Sequence, residues 1–474
     1  MASAENAKEL AKRIRTGKAK QVKADGLSGS SATLLLAAIM NGRGNCPNLL
    51  VVMNDLDDAG YVYHDLTQMM GEEQVLFFPS SYKRAIKYNQ KDAGNEILRT
   101  EVLTKLSTLN SQLSTLIVTY PDAMAERVVS KKELNENTLA VKVGDEFDIS
   151  DLEKRIFELG FERTDYVYEP GQFAIRGSIV DVYSFSSDMP YRIDFFGDEV
   201  DSIRSFDVQS QLSQGKVEMM TIVPEMKIDG TEYISFLEFL PKDTLVVTQS
   251  LIYICDKIAQ IHEEGFSSQA QFEAETNAET LAAQFIIDEE TFKKQIVAFR
   301  HLELKQGSTT DEKSIHFHTE PQPLFHKNFD FVSQEFHRLM EDGYKICIFS
   351  DSEKQIARLQ NIFEEQANTE ADAIHFNPVN KAIHEGFIDH TLKLCFFTDH
   401  QLFDRFHKYN LKSDKAHRGK VALTLKEIQQ FEIGDYVVHI DHGVGRFGGL
   451  HIRRIIKVRY ILFCTDGRIK SVKH

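Results

Sequence analysis

No stretch of the 474-residue chain approaches the roughly 20 apolar residues that a bilayer span requires, and the longest apolar run is only residues 34–40, LLLAAIM. Upstream, Lys12, Arg13 and Arg15 are separated from that run by the small, polar segment 18–31, which is not the layout of a signal peptide. Cysteine is scarce. The five cysteines (46, 255, 347, 395 and 464) include no pair close enough for a Cys-x-x-Cys motif, so buried, reduced thiols in a cytoplasmic chain are expected. Positive charge is scarce too: 55 Lys+Arg against 71 Asp+Glu leave a formal charge of −16. A protein whose main task is to coat nucleic acid needs a basic footprint to neutralise phosphates, and the chain as a whole lacks one. Buriable surface is plentiful, with 33 Phe and 15 Tyr, which excludes disorder as a global description. At roughly 150 residues per domain the length suggests about three domains.

The pattern along the chain is α/β. A helix over 28–40, a strand over 48–54 (NLLVVMN), a helix over 56–70 and short apolar strands over 74–79 and 115–120 alternate in the first 125 residues. Such alternation predicts a parallel sheet covered on both faces by helices. After a charge-mixed stretch to about residue 149, a helix over 150–160 leads into strands over 172–185, 191–196 and 199–206, with Gly197-Asp198 as a hairpin turn. Residues 244–262 read as a strand running into a helix, able to return to the first sheet. Residues 263–325 are acidic, Gln-rich and partly helical. Beyond them lies a small α/β unit: a helix over 331–340, a strand over 344–350, a helix over 353–365 and a strand over 393–398. Past a mixed-charge linker, 431–450 (FEIGDYVVHIDHGVGRFGGL) has the alternation and glycines of a small β-barrel. The tail 451–474 is basic, so salt-dependent DNA binding through it is one possibility.

Three constellations suggest chemistry. Segment 26–33, with Gly26, Gly29, Ser30 and Ser31, stands where a phosphate-binding loop would, between a strand and a helix. Such a loop needs G-x-x-x-x-G-K-[ST]; here the lysine is missing and the second glycine is out of register. The segment is either an ordinary Ser/Gly helix start or a decayed nucleotide site, and in neither case is ATP hydrolysis expected. Asp288, Glu289 and Glu290 read as a solvated helix start rather than a catalytic pair. His439, Asp441 and His442 resemble metal ligands, yet strand alternation does not make all three converge, so no metal is expected. The third constellation lies in 161–207, where Arg163, Arg176, Arg192 and Arg204, and no lysine, sit among ten acidic residues. Alternation over 191–196 puts 191, 193 and 195 on a core face and leaves Arg192, Asp194 and Phe196 outward. An outward Phe beside Arg is the composition of a protein–protein hot spot; the plainer alternative is a hairpin-end Phe beside surface ion pairs.

The run EPGQFAIRGSIVDVYSF (169–185) followed by PYRIDFFGDEVDSIRSFD (190–207) is similar to the module shared by the excision-repair protein UvrB and the transcription-repair coupling factor family. UvrB keeps an intact phosphate loop, whereas the coupling-factor module is degenerate there, as 26–33 is. The motif GDYVVHIDHGVGRF (434–447), with Gly434, Asp435, His439, His442, Gly443 and Gly445, resembles the start of the RNA-polymerase-interacting domain of the coupling factors.

The resemblance implies a multidomain α/β chain. A degenerate P-loop-type parallel α/β domain (1–130 and 223–325) carries an inserted UvrA-binding α+β domain (131–222). A small α/β domain (326–407), a linker (408–428) and a partial, CarD-like polymerase-interacting β-barrel (429–474) follow. It further implies a non-catalytic portion of a DNA-repair protein whose ATP-driven translocase motor lies elsewhere, without a cofactor of its own. Arg176, Arg192 and Phe196 would contact UvrA, and the barrel would meet the RNA polymerase β subunit, with the short segment after Leu450 weakening that contact. DNA would be met weakly or through the motor, no membrane is involved, and a monomer is expected. The alternative is a UvrB-like ATP-dependent helicase fragment acting on damaged DNA.

Overall fold

The computed structural model describes residues 5–411 and 434–473, less 18, 43–45, 82–92, 109–113, 209, 225–231, 273–285, 308–310, 312, 367–372, 410, 440–442, 454–457 and 466–467. It divides into two compact units, 1–413 and 414–474.

The first unit is built on a seven-stranded parallel sheet. Its strands are β1 (Gln21–Asp25), β2 (Leu49–Val52), β3 (Val75–Phe77), β4 (Leu116–Thr119), β5 (Leu245–Thr248), β6 (Arg300–Leu304) and β7 (Ile315–His316), in the order β7-β1-β6-β5-β2-β4-β3. β2, β4 and β5 are buried at every position, as expected of strands covered on both faces. Helices α1 (Glu5–Thr16), α2 (Ser31–Met40) and α3 (Leu56–Met70) bury their apolar sides in the same core. The helix expected from residue 28 starts only at Ser31, because Gly26 and Gly29 hold left-handed backbone (φ +71° and +54°). α3 keeps the bounds read from the sequence, capped by Asp55, whose carboxylate accepts from the Asp58 N–H.

Between β4 and β5 the chain builds a second core. A six-stranded sheet includes Gln172–Arg176, Ile179–Val182, Tyr191–Phe196, Glu199–Phe206 and Ser213–Val217, with the amphipathic helix Ile149–Glu158 packed against it through Leu152 and Ile156. The single strand expected over 172–185 is two, turned at Gly177 (φ +64°). A third core surrounds the parallel strands Lys345–Phe349, Leu394–Thr398 and Asn377–Val379, flanked by helices Phe329–Glu341 and Glu353–Gln366. Asp288 caps the helix Glu289–Ile296 by accepting from the Thr291 N–H, so that acidic trio is a helix start.

The second unit contains a four-stranded antiparallel meander, Tyr436–His439, Gly443–Arg453, Val458–Thr465 and Arg468–Lys473. Where a barrel was expected, the described strands form an open sheet.

Candidate functional site

Strand Tyr191–Phe196 alternates as its sequence dictates: Ile193 and Phe195 are buried in the core, while Phe196 is 82% exposed. The arginines around it are not free. Asp181 lies directly across from Arg192 in the antiparallel ladder and is fully buried. Arg192 donates through Nε to Asp181 Oδ1 at 2.7 Å and through Nη2 to Oδ2 at 2.8 Å, the fork-on-fork geometry that makes Arg–carboxylate pairs strong. Arg176, two residues along the neighbouring strand, also donates to Asp181 Oδ2, and to the Asp165 carbonyl at 2.8 Å. One buried carboxylate therefore orients two guanidiniums. Each also covers an aromatic ring, Arg192 on Phe206 at 4.7 Å and Arg176 on Tyr166 at 5.0 Å. The hydrogen bonds that Arg192 donates to Asp181 raise its pKa still further. Arg204 pairs with Asp194 and Arg163 with Glu153. Arg176, Arg192 and Asp181 together carry one net positive charge, and the exposed Phe196 ends the strand that holds Arg192, opposite Glu199.

Asp181 was not among the residues singled out from the sequence, although its position carries a signal. The turn at Gly177 sets Ala174 opposite Asp181 and Arg176 opposite Ile179, so Arg176 is a diagonal neighbour of Asp181.

Segment 26–31 is closed by its own chain. The N–H groups of Gly26 and Ser30 donate to the Gly307 and Glu385 carbonyls, at 2.8 and 3.0 Å, and the Ser28 N–H donates to Thr319 Oγ1 at 2.7 Å. Ser30 stands at the helix N-cap without capping through its side chain; its hydroxyl instead donates to Asp65 Oδ2 at 2.6 Å and accepts from the Glu385 N–H at 3.0 Å. Asp65 also accepts from the His384 N–H at 2.8 Å. Burial pushes its carboxyl up to about 7, the Ser30 and His384 hydrogen bonds opposing that rise. A Cβ on Gly29 would lie 2.7 Å from the Gly386 carbonyl, so the segment 384–386 sits tight on the loop.

Aromatic contacts carry the same seam. Tyr61 stacks on His384 at 3.5 Å, and His400 on His407 at 4.5 Å. Burial, together with the neighbouring imidazoles, lowers His384 to about 4; burial and His407 lower His400 to about 4.

In the second unit Gly434 and Asp435 lead into the first strand, His439 ends it opposite Gly443, and Gly445 lies in the next strand. Asp441 and His442 lie outside the described residues. Among the described residues, no group of His, Cys, Asp or Glu side chains could hold a metal ion, and no helix is long and apolar enough to cross a membrane.

Residues 139–227, which include the Arg176–Asp181–Arg192 trio and Phe196, match the UvrB interaction domain family, and residues 431–467 match the CarD-like/TRCF RID domain family. The chain is 25% identical to the transcription-repair-coupling factor of Bacillus subtilis (strain 168) over 91% of its own length, and 22% identical to that of Staphylococcus aureus (strain bovine RF122 / ET3-1) over 87%. The chain resembles the N-terminal portion of transcription-repair-coupling factors. It spans 42% and 41% of the lengths of those two coupling factors. Both matched segments fall where the coupling-factor motifs were read from the sequence.

Proposed function

We propose that this chain is the non-catalytic, adaptor portion of a transcription-repair coupling factor. In this reading the face formed by Arg176, Arg192 and Phe196 recruits UvrA to sites where RNA polymerase has stalled, in transcription-coupled nucleotide excision repair. The segment 429–474 contacts the polymerase β subunit, and an ATP-driven DNA translocase in the remainder of the protein displaces it. Residues 131–222 form the UvrA-binding insertion in the domain built from 1–130 and 223–325, and 26–33 is a degenerate phosphate loop. The supporting observation is the exposed Phe196 at the end of the strand that carries Arg192, whose guanidinium, like that of Arg176, is fixed by a buried carboxylate, a combination of apolar and cationic groups suited to a binding hot spot.

Binding to purified UvrA tests the reading, with Phe196→Ala as the clean variant, since an exposed ring can be removed without disturbing the fold. Unchanged affinity for Phe196→Ala would sink the assignment. Arg192→Ala is less direct, because it also leaves the buried Asp181 with Arg176 alone.

A further inference from the structure

A cavity of about 330 Å³ lies at the carboxyl ends of β1, β2, β5 and β6. In open parallel α/β sheets this edge is where ligands bind, and the volume is at the small end of the range for ligand pockets, about 300–1,000 Å³. The floor is apolar, made by Leu27, Leu36, Val51, Val247 and Leu304. Its polar equipment is specific. Asn54, just past β2, donates from Nδ2 to Oε1 of Gln249, just past β5, at 2.8 Å. That bond fixes both amides and leaves Asn54 Oδ1 as an acceptor beside Gln249 Nε2 as a donor. Exchanging the O and N assignments of both amides still leaves one acceptor and one donor. An acceptor and a donor side by side match the edge of a heterocycle that carries an N–H next to a ring nitrogen or carbonyl.

The same cavity disfavours phosphate. The N–H groups of Gly26, Leu27 and Ser30 are given to the Gly307, Lys305 and Glu385 carbonyls, and that of Ser28 to Thr319 Oγ1. Asp58, Asp65 and Glu385 line the walls against one cation, Lys305, which is 3.4 Å from Glu303. Burial and the negative charges of Asp55, Glu385 and Asp57 raise the Asp58 carboxyl, in keeping with a negative field at the mouth.

We propose that this cavity binds an unphosphorylated planar heterocycle of nucleoside size, held at the Asn54–Gln249 amide pair. The floor supplies apolar burial, the amide pair supplies orientation, and the carboxylates exclude the phosphorylated forms.

Thermal shift and isothermal calorimetry on the full chain, with adenosine, guanosine, cytidine and uridine as probes and ATP as the contrast, test this. At least one nucleoside is expected to bind with a Kd on the order of 0.1 mM, and ATP at least tenfold more weakly. Asn54→Leu should weaken the nucleoside at least tenfold with an unchanged circular dichroism spectrum. Gln249→Glu, nearly isosteric, should weaken it as well and covers the case in which Asn54→Leu fails to fold. No shift with any of the four nucleosides at about 5 mM overturns the proposal. So does ATP binding as tightly as the nucleoside, or nucleoside binding indifferent to both substitutions.

Discussion

The two polar constellations of the first unit, the arginine face and the segment 26–31, are built on one device: a buried aspartate that gathers donors from separate strands or loops. Their outcomes are opposite. Asp181 binds two guanidiniums, that of Arg176 partly exposed and that of Arg192 largely buried, in the sheet whose central strand ends in the exposed Phe196. Asp65 binds Ser30 and the His384 N–H, both neutral, and the Glu385 peptide completes the closure. A buried carboxylate that accepts from cations fixes their orientation; one that accepts from backbone and hydroxyl seals a surface. The first arrangement suits a protein partner, and the second ties the Gly26, Leu27 and Ser30 N–H groups to carbonyls of the chain itself.

The largest effect should come from breaking the first constellation. Asp181→Ala leaves two guanidiniums without their anion, and removing one member of a buried pair costs about 3 kcal/mol, so urea unfolding should shift strongly and UvrA binding should fall with it. If both stay as in the unsubstituted chain, Asp181 does not organise the arginines. Phe196→Ala should lower UvrA affinity by about 2 kcal/mol, or roughly 30-fold, with the melting temperature unchanged. That split between binding and stability separates an exposed anchor from a packing residue.

A smaller effect is expected at the closed seam. His384 is held near 4, below its ordinary 6.5, so its neutral form favours the folded seam. The stabilisation is complete above 6.5 and is lost as the pH falls toward 4. His384→Phe keeps a ring on Tyr61 and removes this titration. Between pH 7 and 5 the variant should lose less stability than the parent chain, by about 1 kcal/mol once solvent screening of the partly exposed ring is allowed for. Identical acid sensitivity in the two proteins would show that the ring does not titrate against the seam. The smallest effect is a null: Mg·ATP at about 1 mM should move the melting temperature by less than about 1 °C. A larger shift would reopen 26–31 as a nucleotide site.

Much of the architecture was legible because it rests on local periodicity. The run NLLVVMN could only be a strand buried on both faces, and residues 191–196 carried their own division into core and surface. The segment 244–248 was readable as a strand with a possible return to the first sheet, and its pairing with β2 makes that return. Helix starts were less legible. Ser30 has the composition of an N-cap, yet its hydroxyl goes to Asp65, because a residue 35 positions away offers a buried, charge-assisted bond that the helix end cannot match.

The sequence by itself determined that this is an acidic α/β chain without a P-loop lysine, that Phe196 faces away from a core, and that two motifs match coupling-factor domains. Composition, short motifs and the strand and helix periods encode those facts, the motifs and periods within a few positions of one another. Only the tertiary structure decided what the polar groups meet. Arg192 finds Asp181 across a ladder, Ser30 finds Glu385 from 355 residues away, and Asn54 finds Gln249 from a distant strand end. Hydrogen bonds are satisfied by whatever folding brings within about 3 Å, and no local pattern reports that proximity.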